Sequence, residues 1–207
     1  AMTDAKYADH VVVVTDCLVD FPNFPASVEA IDVDAVVVVD SISKRFSACG
    51  ARVGILVSRN RELMAQALKI CQGRLCAATL DQLGAAALYG VGSDYFSAVR
   101  EEYHRRRDTC MEGLSQIPGV VCECPKGAFY LMAKLPVDDT DKFQTWLLEE
   151  FQDNGETVMF APGEGFYGTP GKGRDEVRLA YILKQADLRR AMEVLAHGIE
   201  AYNSRKL

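Results

Sequence analysis

Two segments of the chain hold four consecutive valines and end on aspartate: VVVVTD at 11–16 and AVVVVD at 35–40. Valine is stiff at χ1, which disfavours it in helices and suits it to a pleated surface. A β-branched run with no polar alternate leaves no face for water. It predicts a strand covered on both sides, as in a parallel sheet flanked by helices. RVGILVS at 52–58 predicts a third strand. The fold class is therefore α/β, and its chemistry belongs at the carboxyl ends of the strands, where open sheets gather functional groups.

The rest of the chain follows helical and strand periods in turn. Helices are predicted over 59–72 and over 79–90, the second opening on a Thr79 cap and closing at Gly90. A long amphipathic helix runs from Ser93 to about Gln116, and Pro118-Gly119 ends it. The pattern then changes. Strands are predicted at 120–124, 127–135, 157–162 and 176–183, with a capped helix at 140–152 and a glycine-rich loop reaching Asp175. A terminal helix at 186–203 places apolar residues at 188, 192, 195, 196 and 199. Residues 1–95 thus read as parallel α/β and 96–207 as a smaller α+β unit. Three strands are few for a sheet covered on both faces, so the first part is expected to be a portion of a larger domain.

The balance of 23 basic against 29 acidic side chains gives a net charge of −6, which argues against nucleic acid or an anionic membrane as a partner. No signal peptide is expected, and no apolar run approaches the roughly 20 residues of a membrane span. The seven cysteines are irregularly spaced and the three histidines scattered, so no metal site is expected. Reduced thiols in a cytoplasmic protein are the better reading.

The chemistry concentrates in DSISKRFSACGARVG, 40–54. Lys44 follows the second valine strand among small residues. A lysine amine becomes a nucleophile when partly desolvated or set near another cation, and Arg52 is such a cation. The hydroxyls of Ser41 and Ser43 and the guanidinium of Arg52 suit a phosphate. A reactive lysine beside a phosphate site suggests pyridoxal phosphate, held as a Schiff base, with Asp16 placed to keep a pyridine nitrogen protonated.

Ser41 to Gly54 matches S-x-S-K-x-[FY]-[SG]-x-x-G-x-R-x-G position by position. This resembles the lysine signature of class I pyridoxal-phosphate aminotransferases. Together with CPKGAFYLMAKLPVDD, ETVMFAPGEGFY and EVRLAYIL, it is similar to the aspartate aminotransferase subgroup. The resemblance covers the chain from about Tyr7 and corresponds to the second half of such an enzyme. It implies a fold-type I transferase: residues 1–95 as the C-terminal part of the large cofactor-binding domain, and 96–207 as the small C-terminal domain. It implies pyridoxal 5'-phosphate as cofactor, an amino acid and a 2-oxo acid as substrates, and a homodimer. Residue by residue, Lys44 resembles the catalytic lysine, Asp16 the pyridine partner, and Ser41 and Arg52 the phosphate ligands. Arg178 resembles the arginine that grips the substrate α-carboxylate, and Gly127 and Phe129 the lining of the substrate side. Arg74 is a candidate for a second substrate carboxylate, against an ordinary role at a helix end.

Three departures accompany the resemblance. The pyridine aspartate is usually followed by Asp-x-x-Tyr, and here Val19 stands in the tyrosine's place. The family's Asn-Pro segment and its phosphate loop would precede residue 1. The 207-residue chain is therefore expected to bind the cofactor weakly and to be inactive alone. Two other readings remain open: a β-lyase or synthase on the same scaffold, and a non-catalytic fragment or pseudoenzyme.

Overall fold

Strand β2 (Val36–Ser41) is the middle of a three-stranded sheet, with β1 (Val12–Thr15) parallel on one side and β3 (Gly54–Ser58) antiparallel on the other. The computed structural model describes residues 12–15 and 36–205; Asp16 and Val19 lie outside the described residues. Thr15 pairs with Val39, and Ser41 pairs with Gly54. The antiparallel course of β3 corrects the expectation of a parallel sheet. A parallel return needs a crossover of a dozen or more residues, usually a helix laid over the sheet. Here the connection 42–53 is spent on one helical turn, α1 (Ile42–Arg45), and a 3-10 turn (Cys49–Ala51). The Ile42 amide donates to the Val53 carbonyl at 3.4 Å, which carries the ladder past Ser41 and turns the chain straight back.

The chain divides into two compact units between Gly92 and Ser93. The first also contains α2 (Arg61–Arg74) and α3 (Thr79–Leu88). Asn60 caps α2 by accepting from the Leu63 amide at 2.9 Å. Thr79, expected as the cap of α3, is instead its first helical residue. Ala78 holds the cap position and offers no side-chain bond, while the Gln82 amide group reaches back to the Ala77 carbonyl at 2.6 Å. Buried apolar residues in this unit, among those described, are Val37, Ile42, Phe46 and Ala85. Ile55, Leu56 and Val57 of β3 are 40 to 53% exposed, and α2 buries no residue.

The second unit is packed differently. Its sheet has the order β4-β5-β7-β6, every neighbouring pair antiparallel: β4 (Val121–Cys122), β5 (Tyr130–Lys134), β6 (Ala161–Pro162) and β7 (Glu176–Ala180). Its helices are α4 (Ser93–Ser115), α5 (Thr140–Glu149) and α6 (Gln185–Ser204). A continuous core joins them, centred on Phe143, Leu147, Val177, Leu195 and Tyr202. The apolar stripe expected along the terminal helix is the stripe that α6 buries: Leu188, Met192, Leu195 and Ile199 are buried, and Ala196 packs against the cluster. Helices approach closely at glycines. A Cβ on Gly113 would lie 2.6 Å from Met192, and one on Gly198 would lie 2.8 Å from Leu147.

The strand expected over 157–162 shrinks to two residues because its backbone is claimed elsewhere. Buried Gln144 of α5 accepts from the Phe160 amide at 2.7 Å, and the Thr157 hydroxyl donates to the Leu147 carbonyl at 2.8 Å. Pro162 has no N–H to continue the ladder. The fully buried Thr140 hydroxyl lies 3.0 Å from both the Arg174 and Glu176 carbonyls, pinning the end of the glycine-rich loop. At its start, the Gly163 amide donates to the Glu176 carbonyl at 2.7 Å. Among the described residues, no helix is long and apolar enough to cross a membrane.

Two outcomes follow from this packing. A Cβ at position 163 would sit 2.7 Å from the Glu176 carbonyl oxygen, which is backbone and cannot swing aside. Gly163→Ala is expected to cost about 2–4 kcal/mol in urea unfolding of the second unit. Burial pushes the Cys110 thiol up to about 11. At pH 8, iodoacetamide should alkylate the exposed Cys49, Cys71, Cys76 and Cys124 well before Cys110, read by mass spectrometry of the native chain. Because the folded-state value is raised, Cys110 contributes stability that is intact below the unfolded thiol's value and falls as pH rises from about 9 towards 11.

Candidate active site

The residues singled out from the sequence fall in both units. In the first, the backbone brings Ser41, Lys44 and Arg52 onto a single loop. Ser41 ends β2 and caps α1, its hydroxyl accepting from the Ser43 amide at 3.3 Å. Lys44 is the third residue of α1 and is half-buried. The loop is anchored on both sides of the lysine. Ile42 and Phe46 are buried, and the Phe46 ring meets Tyr89 edge-on with centroids 5.4 Å apart. Asp40 ties the loop's base, accepting from the Ser41 amide at 2.7 Å and pairing with Arg45 at 3.2 Å.

Arg52 closes the loop in the left-handed region, at φ 54° and ψ 38°. A side-chain-bearing residue there costs about 1 kcal/mol. Its guanidinium is exposed and donates to the Cys49 carbonyl at 3.0 Å. The donor set of this loop — an amine, a serine hydroxyl and a guanidinium — is chemically suited to an aldehyde that carries a phosphate. Arg74 ends α2 and is exposed, a position that fits a basic residue beside terminal carbonyls.

In the second unit Arg178 lies on β7, in register with Met132 of β5 and Ala161 of β6. Its neighbour Val177 is fully buried in the core, so by strand alternation Arg178 points to the opposite face. Its Cζ lies 4.6 Å from the centroid of the Tyr130 ring and 4.5 Å from that of Phe166. Arg178 makes no ion pair with a carboxylate among the described residues.

Phe129 precedes Tyr130, and the two rings meet with centroids 4.3 Å apart. Phe129 packs on the core cluster, 5.9 Å from the Tyr103 ring. The turn before it is strained, with Ala128 at φ 59°. Tyr181 holds that turn: its hydroxyl donates to the Ala128 carbonyl and its amide to the Phe129 carbonyl, each at 3.0 Å. The residues that meet Arg178, Tyr130 and Phe166, were not singled out from the sequence. Strand alternation from Leu131 and Ala133, both core positions, was the available signal for Tyr130; Phe166 is placed by a loop and had none.

Comparison with known proteins gives a consistent family. The sequence profile of aminotransferase class I and II matches residues 3–195. The chain is 29% identical over 177 residues to the aspartate aminotransferase of Bacillus subtilis (strain 168), covering 82% of this chain and 42% of that protein. It is 30% identical over 192 residues to the LL-diaminopimelate aminotransferase of Nitratidesulfovibrio vulgaris (Hildenborough), covering 90% and 47%. Among solved structures, the aspartate aminotransferase of Thermotoga maritima superposes with a TM-score of 0.68 at 28% identity, over 83% of this chain and 42% of that one. The chain thus spans less than half the length of these relatives.

The backbone at position 52 separates folding from function. Arg52→Gly should relieve the left-handed strain and stabilise the first unit by about 0.5–1 kcal/mol, measured by urea unfolding, while removing the guanidinium from the loop.

Proposed function

The chain belongs to the aminotransferase class I and II family, and on that premise we propose that it carries the lysine-bearing part of an aminotransferase acting on aspartate or a similar amino acid, with a 2-oxo acid as the second substrate. The first unit is read as part of the cofactor-binding domain and the second as the small domain. The relatives named for aspartate and for LL-diaminopimelate support an amino-acid donor bearing an α-carboxylate.

The observation that carries this reading is the closed loop 42–53. It suspends Lys44 between two buried anchors and puts Ser41 and Arg52 at the loop's two ends. Pyridoxal phosphate is the cofactor this donor set fits; when bound, it supplies the electron sink that stabilises a carbanion at the substrate α-carbon. Ser41 and Arg52 would hold its phosphate through a hydroxyl donor and a charge-assisted pair. Lys44 would hold its aldehyde carbon and move the proton at the substrate α-carbon. Arg178 takes the α-carboxylate. Asp16 is the assigned partner of the pyridine nitrogen.

The exposed apolar surface of β3 and the free thiols among the described residues bear on setting. We read the first as surface covered in a homodimer, the second as suited to the reducing cytoplasm.

The chain itself can be tested. Pyridoxal phosphate is added, borohydride fixes whatever is bound, and peptide mass spectrometry locates the phosphopyridoxyl group. Labelling concentrated at Lys44 is expected, and Arg52→Ala should reduce it severalfold. Label spread evenly over the exposed lysines would overturn the assignment. In the intact enzyme, Lys44→Ala should lower kcat by at least about 10³-fold. Arg178→Lys should raise KM for the amino acid about tenfold or more, because a point charge replaces a bidentate fork. Keto-acid formation without ammonia release is the outcome expected of a transferase rather than a lyase.

A further inference from the structure

Arg178 differs from most of the paired arginines around it. Arg105, Arg106, Arg107, Arg174, Arg190 and Arg205 all meet carboxylates. Arg178 meets two aromatic rings instead, from two different elements. Tyr130 is its diagonal neighbour across the β5–β7 ladder, where Met132 stands directly opposite, and a diagonal neighbour on one sheet face is within reach of a long side chain. Phe166 ends the 3-10 turn Glu164–Phe166, just after β6, whose Ala161 pairs with Arg178. The guanidinium carbon thus lies over both rings, at 4.6 and 4.5 Å from their centroids.

The loop that presents Phe166 is itself heavily fixed. The Phe166 amide donates to Gly163 at 3.0 Å, and the Gly171 amide to Glu164 at 2.9 Å. The Tyr167 hydroxyl bonds Glu176 on β7, and the Tyr167 ring leaves no room for a Cβ at Gly173. On the other side, Tyr130 follows directly on the strained turn that Tyr181 pins, and its ring meets Phe129 at 4.3 Å. Both rings therefore sit on supports that resist displacement.

We infer that Tyr130 and Phe166 are positioning residues that clamp the plane of Arg178, restricting its ligand to a planar two-oxygen anion that enters along the guanidinium edge. This rests on the reading of Arg178 as a carboxylate anchor and adds how the anchor is aimed. Rings on either side of the guanidinium would leave its edge donors open in one plane, the geometry a carboxylate meets with two parallel bonds. Each ring would act through Arg178.

The test uses the full 207-residue chain labelled with ¹⁵N. The Arg178 Nε–H resonance is assigned by its loss in Arg178→Lys and followed during titration with maleate. A ring-current shift away from the random-coil position is expected before ligand is added. Tyr130→Leu and Phe166→Leu should each reduce that shift and weaken maleate binding about fivefold, whereas Tyr130→Phe and Phe166→Tyr retain both. The half-exposed Phe166 allows its variant to fold, and dispersion of the remaining amide spectrum checks that it has. A random-coil position in the unsubstituted chain, or unchanged maleate affinity in both leucine variants, would overturn the clamp. A shifted resonance that ignores maleate would instead overturn the carboxylate role of Arg178, and with it the ligand assigned to the clamp.

Discussion

The pairing of Ser41 with Gly54 is the constraint on which the lysine-bearing loop depends. It fixes where the loop begins and where it ends, and the adjoining bond from Ile42 to Val53 keeps the two ends together. Lys44 then has no freedom to drift with a long connection. Buried Ile42 and Phe46 hold the backbone on either side of it, while the lysine stays half-buried. Arg52 occupies its place at a conformational cost, since the left-handed backbone that closes the loop is one a glycine would adopt more easily. Retaining arginine there is reasonable where a guanidinium does something that a glycine cannot.

The second unit treats its arginine in the opposite way. Arg178 stands on a strand bonded on both sides, with its backbone neighbour Val177 locked in the core. Strain is displaced to Ala128, where a tyrosine hydroxyl holds it. One cation is thus carried by a loop that a sheet closes, the other by a strand that a core immobilises.

Much of this was legible in the chain. The valine runs gave β1 and β2, and the spacing along 186–203 gave the buried stripe of α6, because a continuous apolar run and a 3.6-residue period each reflect one kind of burial. The lysine loop was legible because its residue types recur at fixed positions from Ser41 to Gly54. What could not be read depended on partners distant in sequence. RVGILVS looks the same whether its strand runs parallel or antiparallel, and only the bond from Ile42 to Val53 decides. The backbone of 157–160 was lost to β6 because Gln144, on a helix, took the Phe160 amide. The aromatic neighbours of Arg178 depended on the register of β5 against β7 and on the course of a glycine-rich loop, neither of which has a local signal.

The unequal burial of the two units has a calorimetric consequence. The heat-capacity increment of unfolding scales with the apolar area newly wetted, and the described residues of the first unit have little left to wet: helix α2 buries no residue and β3 is half in water already. Among the described residues, the second unit, with its aromatic and aliphatic centre around Phe143 and Leu195, buries most of the apolar side chains. The apolar contribution of the described residues to that increment therefore comes chiefly from the half that carries Arg178.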